Sequence, residues 1–210
     1  MEAVGKNLYL HTASKGAWTQ FSWLLKRKGG NYLIGCTDVT PVRDEIEKLG
    51  GIDKLFLTDI HFAQKWHGEI AEHFGATLVC NKHDKASVGK KCRTKNLLTI
   101  DKRNQLDDDF EIIPTPGHAT GGLCYHWANG KQSVLFTGDF LAHTHKGWAV
   151  FTSKSKRKIM QQSLTTVGEL PITLLCPGCS EGDPVSSLAL KPGAFARLTS
   201  ETIEKFCTAG

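Results

Sequence analysis

Apolar positions along this chain follow two different periods. The runs LYLHTA, TQFSWLL and NYLIGC near the N-terminus are short, β-rich and separated by Gly-containing turns, the pattern of a β-meander. After them the period lengthens. Thr40 and Pro41 stand where a cap and a first-turn proline belong, Asp44 and Glu45 lie near the positive helix end, and Val42, Ile46 and Leu49 share one face. Gly50-Gly51 closes that predicted helix. The run LFLT then reads as a buried strand, followed by a short helix from about His67 to Phe74 and a strand at ATLVC, which together make a βαβ unit. Further on, FEIIPTPGH, GLCYHW and SVLFTGD are three strand-like runs with turn signals between them, a helical pattern starts near Lys158 with Ile159, Leu164 and Val167, and ITLLC reads as a last strand. Two β-rich halves with helices between and after them imply sheets stacked between helices. No repeat, low-complexity tract or linker divides the chain, so a single domain over 1–210 is expected.

Composition narrows the function classes. The 210 residues carry a formal net charge of +5, and the basic residues are scattered rather than clustered on one stripe, which argues against a nucleic-acid partner and fits a small acidic substrate. No segment approaches the twenty or so apolar residues of a membrane span, and the first residues lack a signal-peptide core, so a cytosolic protein is expected. Seven cysteines is an odd number without framework spacing, so reduced thiols are the simpler reading. Cys176 and Cys179 have CxxC spacing, but a zinc site needs a second ligand pair and no other CxxC exists.

Three apolar strands run into groups suited to a metal: LFLT into Asp59 and His61, FEIIPTPG into His118, and SVLFTG into Asp139. Imidazoles and carboxylates suit zinc, manganese or iron, and loops at adjacent strand ends can gather residues distant in sequence. Taken singly, an Asp or His after a strand is usually a turn former or a surface group.

In this order the segments TDIHFAQ, TPGHATGG, FTGDFL and CPGCSEG resemble the metallo-β-lactamase superfamily. Its pattern is Thr-His-x-His-x-Asp-His, then Pro-Gly-His, then Thr-Gly-Asp, then a final Pro-Gly-His. The resemblance implies an αββα sandwich of two mixed β-sheets flanked by helices. It implies a first metal held by Asp59, which stands at the first histidine position, with His61, His118 and Asp139. It also implies that the second metal's ligands are lost, because Ala63, Gln64 and Cys179 occupy their positions. The expected cofactor is therefore one divalent ion, zinc, iron or manganese, or none.

Other residues stand near this constellation. His67 is three residues after Gln64, on the same face of the predicted helix, and could reach the vacated side together with Cys179. His143, His145 and Trp148 follow Asp139 in a loop that either lines the pocket or packs on the surface. Lys154, Lys156, Arg157 and Lys158 sit near a helix start, where they oppose the dipole, and they read by default as a solvated basic turn, with relief by a bound anion as the alternative. Two functions stay open: a mononuclear metal-dependent hydrolase of an ester, thioester or related bond, and a non-catalytic relative that binds a ligand or protein partner. The sequence assigns no catalytic role to any residue beyond the ligand set.

Overall fold

The computed structural model of the protein describes residues 1–208. The N-terminal half supplies β1 (Glu2–Gly5), β2 (Leu8–Lys15), β3 (Trp18–Leu25), β4 (Tyr32–Ile34), α1 (Arg43–Lys48), β5 (Lys54–Phe56), α2 (Lys65–Phe74), β6 (Thr77–Asn81), α3 (Lys85–Cys92) and β7 (Leu97–Ile100). The C-terminal half supplies β8 (Asn104–Asp107), β9 (Phe110–Pro114), β10 (Leu123–Asn129), β11 (Gln132–Gly138), β12 (Ala142–Thr144), β13 (Gly147–Ala149), α4 (Arg157–Gly168), β14 (Leu174–Pro177), β15 (Cys179–Glu181), β16 (Leu188–Ala189) and α5 (Ala194–Ile203).

One sheet runs β13-β12-β15-β3-β4-β5-β6-β7, with β2 and then β1 also attached at β3; the other runs β16-β14-β11-β10-β9-β8. Both are mixed. In the first, β3 and β4 are antiparallel whereas β4, β5, β6 and β7 are parallel. In the second, β9, β10 and β11 are antiparallel and β11 pairs β14 in parallel. The chain crosses from the second sheet to the first at β12 and again at β15, which pairs with β12 and with β3.

Side-chain alternation explains the layering. On β10, Leu123, Tyr125 and Trp127 face the first sheet's Phe21, Trp23, Tyr32 and Phe56, while Cys124 points to the outer layer with Met160, Leu164 and Val167 of α4. The first sheet's other face, with Leu33, Leu55 and Leu57, is covered by Ile46, Trp66, Ile70 and Val88 from α1, α2 and α3. The result is helix, sheet, sheet, helix. Tyr32, Phe56, Phe110 and Tyr125 form a ring cluster about the inter-sheet centre, in which Tyr32–Phe56, Tyr32–Phe110 and Phe56–Tyr125 meet tilted or edge-on with centroids 4.9 to 5.0 Å apart.

The helices depart from the sequence expectations in detail. The segment Thr40–Val42 opens as a 3-10 turn whose cap position is Val39 rather than Thr40, and Asp38 Oδ1 accepts from the Thr40 N–H at 2.8 Å just before it. On α4 the buried face is Met160, Leu164 and Val167, and Ile159 is exposed, because an i, i+4, i+7 stripe begins one residue later than the apolar run suggests. Among the described residues, no helix is long and apolar enough to cross a membrane. All seven cysteines are free, and six of them are buried.

Candidate metal centre

The site lies where strands from both sheets end. The strand β5 runs out through Leu57 to a buried Thr58 and Asp59. That end is tied to the second sheet: the Leu123 N–H donates to the Thr58 carbonyl at 2.7 Å, and the Tyr125 hydroxyl donates to the Leu57 carbonyl. The β9–β10 loop therefore brings His118 beside His61, and the end of β11 brings Asp139. Gly138 makes this approach possible. Its φ of +55° suits glycine, and a Cβ there would lie 2.3 Å from Thr58 Oγ1.

Three of the four expected ligands converge. One donor atom from each of His61, His118 and Asp139 lies within 4.8 Å of the others. His61 Nδ1 is 2.9 Å from His118 Nε2, and His118 Nε2 is 3.8 Å from Asp139 Oδ2. The outward nitrogen of His118 fixes its tautomer: Nδ1 donates to the Phe151 carbonyl at 2.8 Å, which leaves Nε2 as a lone-pair donor facing the cluster.

Asp59 takes a different place from the one expected of it. Its Oδ1 accepts from the His61 backbone N–H at 2.7 Å and lies 3.4 Å from His61 Nδ1. The carboxylate closes an Asx turn and braces the His61 ring from the buried side, and it is not a member of the converging group. Its charge still reaches the site. Burial first, and the Asp59 carboxylate second, push Asp139 up to about 6.

The donor chemistry fits one divalent cation. Two imidazoles and a desolvated carboxylate face one another, and an ion between them would relieve both the imidazole contact and the repulsion between Asp139 and Asp59. The side of the second ligand set has no such character, since Ala63 is buried in the helix-covered core and Gln64 is an exposed residue at the start of α2. Cys179 does reach the centre, its Sγ donating to Asp139 Oδ1 at 3.0 Å. Burial, then the Asp139 charge, raises that thiol well above its ordinary range.

The remaining candidates lie elsewhere. His67 is fully buried, with Nε2 donating to the Gly35 carbonyl at 3.1 Å and Nδ1 accepting from the Gln64 N–H at 3.3 Å, so it ties α2 to the end of β4 and does not reach the vacated side. His143 packs edge-on against Trp148. His145 is exposed and pairs with Glu181 at 2.8 Å. Trp148 lines a separate groove along α5 with Lys146, Arg197 and Leu198. The residues that do border the cluster were not visible in the sequence: Trp18, Gln20 and Phe151 join His118, Asp139 and Cys179 around a cavity of about 210 Å³. Trp18 and Phe151 meet edge-on at 5.8 Å, and the pairing of β3 with β15 brings Trp18 to this end of the sheet.

No family model matches the chain. A hydroxyacylglutathione hydrolase of Citrobacter koseri is 30% identical over 160 residues, which is 74% of this chain and 60% of that protein. The chain thus spans well under two thirds of that relative's length. Among solved structures, a subclass B3 metallo-β-lactamase with an active-site glutamic acid superposes with a TM-score of 0.69 at 16% identity, covering 97% of this chain and 88% of the other. A metallo-β-lactamase superfamily protein of Sulfolobus tokodaii superposes with a TM-score of 0.68 at 13% identity, covering 98% and 88%. These superpositions cover nearly the whole chain, and the chain is a protein of the metallo-β-lactamase fold.

Proposed function

We propose that the chain is a mononuclear metal-dependent hydrolase of a small thioester or related ester. The observation that carries this reading is the convergence of His61, His118 and Asp139 donors beside an open cavity. The thioester preference rests on the Citrobacter relative, whose name describes hydrolysis of an acylated glutathione. His61, His118 and Asp139 would hold a zinc, iron or manganese ion, which would supply Lewis acidity to the acyl carbonyl and acidify water.

The chain's own residues then have separable tasks. His118 presents Nε2 because the Phe151 carbonyl holds its Nδ1–H. Asp59 keeps the His61 ring from turning away. Trp18 and Phe151 form an apolar wall for the acyl group and exclude bulk water from one side. The positive net charge favours the approach of an acidic small molecule. Hydrolysis places the water oxygen on the acyl carbon and returns a proton to the departing sulfur, giving a carboxylic acid and a thiol.

The test is to strip the protein with a chelator, return zinc in steps, and follow thiol release from an acyl thioester with a thiol reagent. Activity that saturates near one equivalent supports the reading, and saturation near two equivalents, or no thiol release at any loading, refutes it. The second reading, a non-catalytic binder, draws on Ala63 and Gln64, which leave the second metal's side without donors. It is favoured by tight binding of an acyl thioester that is never cleaved.

A further inference from the structure

The two oxygens of Asp139 face different neighbours. Oδ2 lies 3.8 Å from His118 Nε2, on the side of the converging donors, and Oδ1 accepts from Cys179 Sγ at 3.0 Å. The sulfur's position is set by backbone on both sides. The Gly178 N–H donates to the Gly138 carbonyl at 2.9 Å, and the Gly178 carbonyl accepts from the Phe21 N–H at 2.9 Å. The two loops approach so closely that a Cβ on Gly178 would lie 2.7 Å from Gly138 Cα. The turn between β14 and β15 is thus clamped between β11 and β3, and Cys179 is carried to Asp139 by that clamp.

A carboxylate without a fixed partner rotates about its Cβ–Cγ bond and presents either oxygen. A donor on one oxygen sets the plane and decides which oxygen remains. We propose that Cys179 is the positioning residue for the Asp139 ligand, its S–H holding Oδ1 so that Oδ2 is left to the His61 and His118 side. This rests on the metal-centre reading above. It also gives a role to the residue that stands where the superfamily pattern has a histidine: a hydrogen-bond donor to the carboxylate in place of a ligand. The geometry separates the two roles, because Cys179 is outside the group whose donor atoms lie mutually within 4.8 Å.

The test is titration of the metal-free protein with Co²⁺, followed by visible absorption and by competition with a chromophoric chelator. Wild type, Cys179→Ser and Cys179→Ala are compared, and Cys179→Val, which also lacks a donor, replaces the alanine variant if that one fails to fold. Serine keeps a donor and is expected to bind within a few-fold of wild type. Alanine or valine is expected to lose about 10- to 100-fold in affinity, the range for residues that orient a ligand. Wild type is expected to show no near-ultraviolet sulfur-to-cobalt charge-transfer band. Equal affinity in the variants that lack a donor, or such a band in wild type that serine abolishes, overturns the positioning role and leaves the metal centre standing. Failure of wild type itself to bind Co²⁺ overturns both.

Discussion

Lowering the pH toward 4 should cost this fold about 3 kcal/mol through one side chain, His67. The ring is fully buried and both nitrogens are engaged in a single neutral tautomer, with Nε2–H on the Gly35 carbonyl and Nδ1 facing the Gln64 N–H. A proton on Nδ1 would turn that acceptor into a donor pointed at another donor, in a place without water. Burial accordingly lowers the group from 6.5 to about 4. Between those values the unfolded chain binds a proton that the native protein does not, so stability rises with pH across this window. The contribution is complete above about pH 6.5 and is lost as pH falls toward 4. A difference of about 2.5 pH units at ~1.36 kcal/mol each gives about 3 kcal/mol, a large part of the ~5 to 15 kcal/mol that holds an ordinary domain together.

The assay is urea unfolding by tryptophan fluorescence between about pH 4 and pH 7.5, for wild type and for His67→Gln. Glutamine can donate to Gly35 and accept from Gln64 but does not titrate. Carboxylates elsewhere shift both proteins alike, so the quantity of interest is wild type minus variant. That difference should be flat above about pH 6.5 and fall by about 3 kcal/mol toward pH 4. A difference independent of pH would refute the reasoning and show that the ring titrates in the native state as it does in the unfolded chain.

Two further outcomes follow from the same geometry. His118→Ala removes one of three converging donors and should weaken zinc binding by at least ~10-fold in a chelator competition, with a smaller change in the thermal midpoint of the metal-free protein. Unchanged metal content would remove His118 from the site. Arg27→Met should destabilise the fold by about 2 kcal/mol in urea unfolding, since the guanidinium joins Asp107 and Asp109 and stacks 4.0 Å over Tyr32. The figure is set below the ~3 to 5 kcal/mol of a fully buried pair because the carboxylates are 40% exposed. A loss under about 0.5 kcal/mol would mean that the network is no stronger than a surface ion pair.

The central strands were legible because both of their faces are covered, so Leu55–Leu57, Ile112–Ile113 and Val134–Phe136 stand out as unbroken apolar runs, whereas β1, β8, β12, β13, β15 and β16 were not read. The helices α3 and α5 were not. α3 buries only Val88 and Cys92, and α5 buries Phe195 with Thr199 and Thr202. Those threonines satisfy their hydroxyls on the carbonyls of Ala196 and Leu198 and so hide an inward face behind polar letters. At the site, His61, His118 and Asp139 could be read from motif order. Asp59 was read as a ligand by position, although an acceptor two residues before His61 is also the signature of an Asx turn, and the turn is what it makes. Trp18 and Phe151 carried no local signal, because their meeting depends on a strand returning from the other sheet.

That return explains why the centre and the core are one problem. His61 and its brace Asp59 belong to the end of the first sheet, His118 and Asp139 to the second, and Cys179 to β15, the first-sheet strand that the chain enters directly from β14 of the second. The sheets are registered against each other by Leu123 on Thr58, by Tyr125 on Leu57 and by the ring cluster beneath. A slip of one residue in β10 would turn Tyr125 and Leu123 outward and would separate His118 from His61 by the same motion. On the proposed reading, an ion held by donors from both sheets resists that slip, so part of its binding free energy appears as folding stability. Ala63 and Gln64, which stand at two of the superfamily pattern's second-metal positions, lie to one side of this junction. Ala63 is absorbed into the helix-covered core and Gln64 into the start of α2, whereas the three converging donors sit on the junction itself.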